Sequence, residues 1–260
     1  MKTRLDQHLY ASGLAESVNR AQRLIMAGQV RVGGRVVAKV GTLIEPTADV
    51  TVQPSRRYVS RGADKLAGAL DAFAISPQGW TVADVGASTG GFTDLMLSRG
   101  AARVYAIDVG YGQLHWKLRN DPRVVVMERT NARYLEHLAE PVRLVTIDAS
   151  FISLELLLPV ARGWLAPEGH VIALIKPQFE APERDVKAGG VVRDREAHRR
   201  VLLRVIRYAG EHGWRVLGLI RSPLRGPKGN VEFLVWLEPA EGSGASVDEA
   251  LIDHVLEIGG

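Results

Sequence analysis

The sequence predicts an α/β protein: a mostly parallel seven-stranded sheet with helices on both faces, behind a small N-terminal α+β domain. Three observations carry this. Seven short apolar runs recur between residues 80 and 237, and helical segments separate most of them, as expected of strands joined by crossovers. The first fifty residues show instead two helical patterns followed by short alternating runs. Charge is also uneven: the chain carries +4 overall, yet residues 1–60 hold nine Lys or Arg against four Asp or Glu.

In the N-terminal stretch, Leu5, Leu9 and Leu14 sit near helical spacing, and Gly13 ends that helix. Ser17 is a natural N-cap for a second helix through Ala21, Leu24 and Ile25 to Gly28. "VRVGGRVV", turning at Gly33-Gly34, and "DVTVQ" read as strands. A basic module beside a nearly neutral one points to a polyanionic partner. "RLDQHL", "SVNRAQRLIMAGQVRVGGRVV" and "DVTVQ" together resemble the S4-type RNA-binding domain. That resemblance implies RNA contacts from the second helix and the turn after it, and the candidate RNA-binding residues are Arg4, Arg20, Arg23, Arg31, Arg35 and Arg61. The domain is assigned residues 1–53, and the polar stretch 54–60 a linker.

A helix carrying Lys65 opens the second domain, assigned residues 61–240. Strands are predicted over 80–85, 103–108, 124–128, 142–148, 170–175, 214–220 and 231–237, with helices over 92–99, 154–166 and 195–212. "RSPLRGPKGN" between the last two strands is a loop, so those strands are expected to pair antiparallel. This is the methyltransferase variant of the Rossmann-like sheet. Residues 241–260 read as a loose tail in which Ser246 and Glu249 offer a capping box for a short helix.

Composition narrows the chemistry. The chain has 46% hydrophobic and 24% charged residues and no cysteine, which removes disulfides, thiolate metal sites and a thiol nucleophile. No apolar run approaches the ~18–20 residues of a membrane span, and the polar start resembles no signal peptide. A cytoplasmic protein is expected. His115 has no companion at metal-ligand spacing, so no metal is assigned. Trp116 is expected to pack the loop after the second strand.

"ADVGASTGGFTDLML" joins the first long strand to a helix, where a glycine-rich turn exposes helix N-terminal amides to a ligand. Gly86, Gly90 and Gly91 do not fit G-x-G-x-x-G. Asp84 before the turn suits an amino group better than a pyrophosphate, and Asp108 ends the second strand where ribose hydroxyls would be held. This favours S-adenosylmethionine over a nicotinamide dinucleotide. The candidate cofactor-binding residues are Asp84, Gly86, Ser88, Thr89, Gly90, Gly91, Phe92, Asp108, Val109, Asn131, Ala132 and Asp148.

Ligands of open α/β sheets lie outside the carboxyl ends of the strands. Asp148 and Lys176 end strands there, Glu232 begins the antiparallel strand at the same edge, and Lys65 can fold over the opening. Two charges of each sign would neutralise one another. The order Lys65, Asp148, Lys176, Glu232 resembles the Lys-Asp-Lys-Glu tetrad of FtsJ/RrmJ-type ribose 2′-O-methyltransferases. "YVSRGADKL", "DVGASTGGFTD", "IDASFISL", "ALIKPQFE", "GGVVRD" and "GPKGNVEF" extend the likeness to the TlyA family, which joins an S4-type domain to an FtsJ-like methyltransferase. The resemblance implies cytidine 2′-O-methylation in ribosomal RNA, with ribosomal subunits as partners and these four residues catalytic. Ala63 stands where the family usually has glycine after "SRG"; tolerance is expected. Carbon-five pyrimidine methylation would need a cysteine, and amino methylation often shows an Asn/Asp-Pro-Pro-Tyr-like loop where this chain has "DASF". Two other classes stay open: a non-catalytic RNA-binding assembly factor, and a membrane-active hemolysin, the name some family members carry. Monomer and homodimer are equally open.

Overall fold

The computed structural model describes residues 2–53, 57–241 and 249–257. It divides into two compact units, residues 1–57 and 58–260. The predicted linker residues 54–56 and the Ser246 cap lie outside the described residues.

The first unit runs β1 (Thr3–Arg4), α1 (Leu5–Ala11), α2 (Val18–Met26), β2 (Val30–Val32), β3 (Arg35–Val36), β4 (Leu43–Ile44) and β5 (Val50–Val52). Ser17 caps α2 as expected, its hydroxyl accepting from the Arg20 N–H at 3.1 Å. β2 pairs antiparallel with β3 and β5. Gly33 and Gly34 turn the hairpin with φ of +55° and +76°, the left-handed pair a tight two-residue connection needs. Leu5, Leu9, Ala21, Leu24, Ile25, Val30 and Ile44 form a core of their own. Leu14 is exposed, not part of it, because α1 ends at Ala11 before the heptad closes. The β1–β4 pair was not anticipated.

The second unit continues α3 (Gly62–Ala72), β6 (Thr81–Val85), α4 (Gly91–Ser98), β7 (Arg103–Ile107), α5 (Trp116–Arg119), β8 (Val124–Met127), β9 (Val142–Ile147), α6 (Leu154–Trp164), β10 (Leu165–Ile175), α7 (Pro177–Glu180), α8 (Arg195–Glu211), β11 (Trp214–Arg221), β12 (Phe233–Pro239) and α9 (Glu249–Glu257). Strand order is β11-β12-β10-β9-β6-β7-β8, and β12 runs antiparallel to both neighbours. Alternate residues of β10 feed opposite cores. Val171, Ala173 and Ile175 meet the α6, α8 and α9 side; Ile172 and Leu174 meet the α3 and α4 side. β10 is therefore apolar on both faces from Val171 to Ile175, which is why that run is continuous.

Two boundaries differ from expectation. Tyr58 is buried in the catalytic unit's core, and the Val59 N–H donates to Asp94 at 2.9 Å, so residues 58–60 belong to the fold and not to a linker. The tail helix α9 is likewise integral: Ile252 and Val255 are buried against the sheet. Ala63 sits in α3 at ordinary helical φ, fully buried, so alanine costs no left-handed strain there.

Candidate active site

β6 and β9 diverge in chain order at the centre of the sheet, which opens the crevice where ligands of such folds bind. Their ends approach so closely that a Cβ on Gly86 would lie 2.7 Å from the Asp148 carbonyl oxygen, and Gly86 has φ +82°. Glycine is required there by backbone packing as well as by conformation.

A cavity of about 460 Å³ fills the crevice, walled by Gly86, Ser88, Asp108, Val109, Asn131, Ala132 and Asp148 of the expected set. A second of about 200 Å³ adjoins it, walled by Ser60, Gly62, Gly86, Ser88, Thr89, Gly91, Phe92 and Asp148. Asp108 is locked by two backbone donors, Ser88 N–H at 2.8 Å and Gly110 N–H at 2.7 Å. Asn131 caps the turn after it, accepting from Arg133 N–H at 3.1 Å. The walls missed by sequence reasoning include Gln113, Thr130, Ser150 and Phe151; only Ser150, two residues from Asp148, carried a usable signal.

Two of the expected cofactor residues stand apart. Asp84 is fully buried and lines neither cavity; its oxygens accept from Thr93 at 2.6 Å and Thr146 at 3.3 Å. Burial pushes this carboxyl up to about 7, against the pull of the Thr93 hydroxyl. Its position on β6, one residue inside the strand end, turns it into the α4 interface. Gly90 also lines neither cavity: its Cβ would lie 2.2 Å from Leu118, so it serves close packing of α4 against α5.

The tetrad assembles as two ion pairs. Lys176 Nζ lies 2.6 Å from Asp148 Oδ1 and also donates to the Asp148 carbonyl at 3.2 Å and the Ser150 hydroxyl at 3.0 Å. Lys65 Nζ donates to Glu232 Oε2 at 2.5 Å, and Glu232 is fully buried. Both ammonium groups are largely buried, an arrangement tolerable only with a partner at hand. Short links join the pairs. Gln178, two residues beyond Lys176, donates to Glu232 Oε1 at 3.0 Å, and a Cβ on Gly62 of α3 would lie 3.9 Å from Asp148 Oδ2. Pro177 heads α7 immediately after Lys176, fixing the chain's φ where the amine leaves the strand. Glu180 ends α7 and fastens it, accepting from the Leu154 N–H and Ser153 hydroxyl at 2.8 Å each and pairing with Arg204 at 2.7 Å.

Charge selects the ligand type. Asp108 and Asp148 line the cavities and no Lys or Arg does, among the described residues. A diphosphate would meet two carboxylates and no cationic side chain there, whereas a sulfonium with an amino group would be attracted. The residues therefore fit S-adenosylmethionine and not a dinucleotide.

Other expectations resolve separately. Arg20, Arg23, Arg31 and Arg35 lie on α2, β2 and β3. Arg4 is committed to Asp6 at 2.7 Å, which holds that carboxyl at about 2. Arg61 is exposed just before α3. Trp116, expected to pack, is instead 71% exposed, since Leu118 takes the inward position of α5. His115 caps α5, its Nδ1 accepting from the Lys117 N–H at 3.2 Å.

Comparison with known proteins agrees with this geometry. Residues 58–239 match the FtsJ-like methyltransferase family and residues 3–50 the S4 domain. The 16S/23S rRNA (cytidine-2′-O)-methyltransferase TlyA of Mycobacterium tuberculosis is 50% identical over 240 residues, 91% of this chain and 90% of that protein. Hemolysin A of Brachyspira hyodysenteriae is 40% identical, over 89% of this chain and 98% of that one. A solved structure from Streptococcus thermophilus, titled a hemolysin, superposes with a TM-score of 0.74 at 42% identity, covering 98% of this chain and 94% of that one. These matches, spanning both units, show that the chain belongs to the TlyA family of S4-domain, FtsJ-like methyltransferases.

Proposed function

We propose that this protein transfers a methyl group from S-adenosylmethionine to the ribose 2′-hydroxyl of a cytidine in ribosomal RNA. The observation that carries the reading is the Lys176–Asp148 pair, 2.6 Å apart, where Asp148 also walls the cation-free cavity. The cofactor supplies an electrophilic methyl on a sulfonium. The protein must then align one oxygen with it and remove one proton, and alignment alone is worth ~7–11 kcal/mol.

Lys176 is the aligning group. All three of its donor positions are engaged within the protein, by Asp148 Oδ1, the Asp148 carbonyl and Ser150 Oγ. A substrate hydroxyl must displace one of them. The Ser150 hydroxyl is the natural one to yield, because it alone turns away by rotation about a single bond. The substrate hydroxyl's proton would pass to the Asp148 carboxylate of the Lys176–Asp148 pair, while transfer of the methyl to the oxygen would break its bond to sulfur and leave a neutral thioether. Lys65 and Glu232, joined to this end of the sheet through Gln178, would help orient the nucleotide. Asp108 would hold the cofactor ribose, its carboxylate already aimed by Ser88 and Gly110, and Asn131 and Val109, which line the same cavity, would meet the base.

The test is direct. Unmethylated ribosomal RNA incubated with labelled S-adenosylmethionine should acquire label at a cytidine whose 3′ phosphodiester resists alkaline cleavage. Lys176→Ala should lower turnover by about 10²–10⁴-fold while S-adenosylmethionine binding, read by calorimetry, persists. Retained turnover in that variant refutes the role given to Lys176; label on a base rather than a ribose refutes the reaction. Two of the similar proteins carry a hemolysin name; among the described residues no helix is long and apolar enough to cross a membrane.

A further inference from the structure

A strongly positive cavity of the second unit lies outside the site described above. It measures about 550 Å³ and is lined by Arg193, Arg195, Arg221, Arg225, Lys228 and His198, with Val231 and Phe233 on its floor. No Asp or Glu lines it among the described residues. Two carboxylates stand nearby: Glu257 lies 3.8 Å from Arg195, and Asp194 caps α8 through the Glu196 N–H at 3.2 Å. Burial and the neighbouring Arg221 push the His198 imidazole down, so it adds no charge of its own at neutral pH.

The cavity is built, not a chance gathering of long side chains. Its cations come from two chain segments, the end of the loop before α8 with the first residue of that helix and the end of β11 with the loop after it, and Asn230 fastens one loop to the other. That side chain, 2% exposed, accepts from the Val192 N–H at 3.0 Å and donates to the Gly190 and Pro227 carbonyls at 2.9 and 3.2 Å. The loops are thereby held at fixed separation before any ligand arrives.

Its place relative to the tetrad is set by strand alternation. Val231 and Phe233 face the cavity while Glu232 between them points through the other face to Lys65. The cavity therefore opens at the same edge of the sheet as Lys176. β11, whose last residue Arg221 lines it, is two strand spacings, about 10 Å, from β10. A polyanion whose reacting ribose sits at Lys176 has its next phosphates within reach of this cluster.

We propose that this cavity binds a backbone phosphate of the substrate RNA flanking the methylated nucleotide, with Arg193 and Arg225 its principal contacts. This rests on the RNA-modifying reading above and adds a second anchoring point to it, within the catalytic unit. Guanidinium pairs suit phosphate oxygens, and such contacts position a nucleic acid without reading its sequence.

The experiment uses the full chain, a fluorescein-labelled ribosomal RNA transcript and anisotropy across a salt series, without cofactor. Arg193→Glu and Arg225→Glu are made singly and together, with Arg207→Glu as a charge-matched control about 18 Å further along α8. All three side chains are exposed, and melting temperatures verify folding. Each cavity variant should reduce the slope of log affinity against log salt by about 1, and the double variant should bind about tenfold more weakly. In methyl transfer the double variant should raise the RNA KM with kcat within twofold and unchanged S-adenosylmethionine affinity. An unchanged slope in the double variant, or an equal loss in Arg207→Glu, overturns the cavity's role while leaving the methyltransferase intact. A wild-type protein that neither binds nor methylates the transcript overturns both readings.

Discussion

Asp84 shows how one carboxyl can be essential to a site it does not touch. It sits between Thr93 on α4 and Thr146 on β9, so it ties the helix that opens at the glycine turn to the two central strands. Fully buried, its carboxyl is pushed up to about 7, well above the ordinary ~3.9 of an unfolded chain. A carboxyl raised on folding stabilises the fold fully below pH ~4. That contribution is lost as pH climbs from 4 to 7, because the unfolded chain ionises there and the native state resists. Asp84→Asn keeps the shape and removes the titration. In urea unfolding, the variant's stability relative to wild type should rise by a few kcal/mol between pH 4 and pH 7.5 and level off above. Parallel profiles for the two proteins would exclude this account. The sequence shows Asp84 only as an acid before a glycine turn. Nothing at the spacing of Thr93 or Thr146 announces hydroxyls waiting on the far side of a helix and a neighbouring strand. Lys176 was legible for the opposite reason: a charge ending an apolar run advertises its own need of a partner.

At the scale of elements, two glycines that look identical in sequence meet different requirements. Gly90 has φ +94° and its added Cβ would lie 2.2 Å from Leu118 and 2.8 Å from Leu114, both buried. Gly112 has φ +71° and nothing within 4 Å of such a Cβ. Gly112→Ala should therefore cost only the left-handed strain, about 1 kcal/mol. Gly90→Ala should add overpacking of ~1–3 kcal/mol to that strain and displace α5. Equal losses for the two variants in thermal unfolding would mean that the α4–α5 contact yields freely. The same distinction explains what could be read in advance. The long strands and helices announce themselves by period, because each must bury an entire face. β1 and β4, two residues each, carry no period at all, and the four-residue α5 is too short to show that Trp116 faces out. Ser150 and Gln178, which complete the tetrad's hydrogen bonds, are ordinary polar residues two positions beyond a charged one. Their roles appear only when strand ends are brought side by side.

For the whole molecule, the two units have separate cores: Leu5, Leu9 and Ile25 in one, the two faces of the seven-stranded sheet in the other. Separate cores allow substrate capture and chemistry to be altered independently. In the first unit Arg4 serves the fold, held bidentate by the buried Asp6, and Arg31 is partly engaged by the Gly34 carbonyl at 2.8 Å. Arg20 and Arg23, three residues apart on α2, share one helical face and would offer a phosphate backbone two neighbouring cations. Reversing both (Arg20→Glu with Arg23→Glu) should weaken ribosomal RNA binding and reduce its salt slope by about 2. Cofactor affinity and the second unit's unfolding transition should stay at wild-type values, because neither residue belongs to that unit's core. Arg4→Ala should behave the other way, lowering the first unit's stability by leaving Asp6 buried without its cation. If Arg20 and Arg23 can be reversed with no change in affinity or salt dependence, the basic helix is a solvated surface and the first unit meets some other partner.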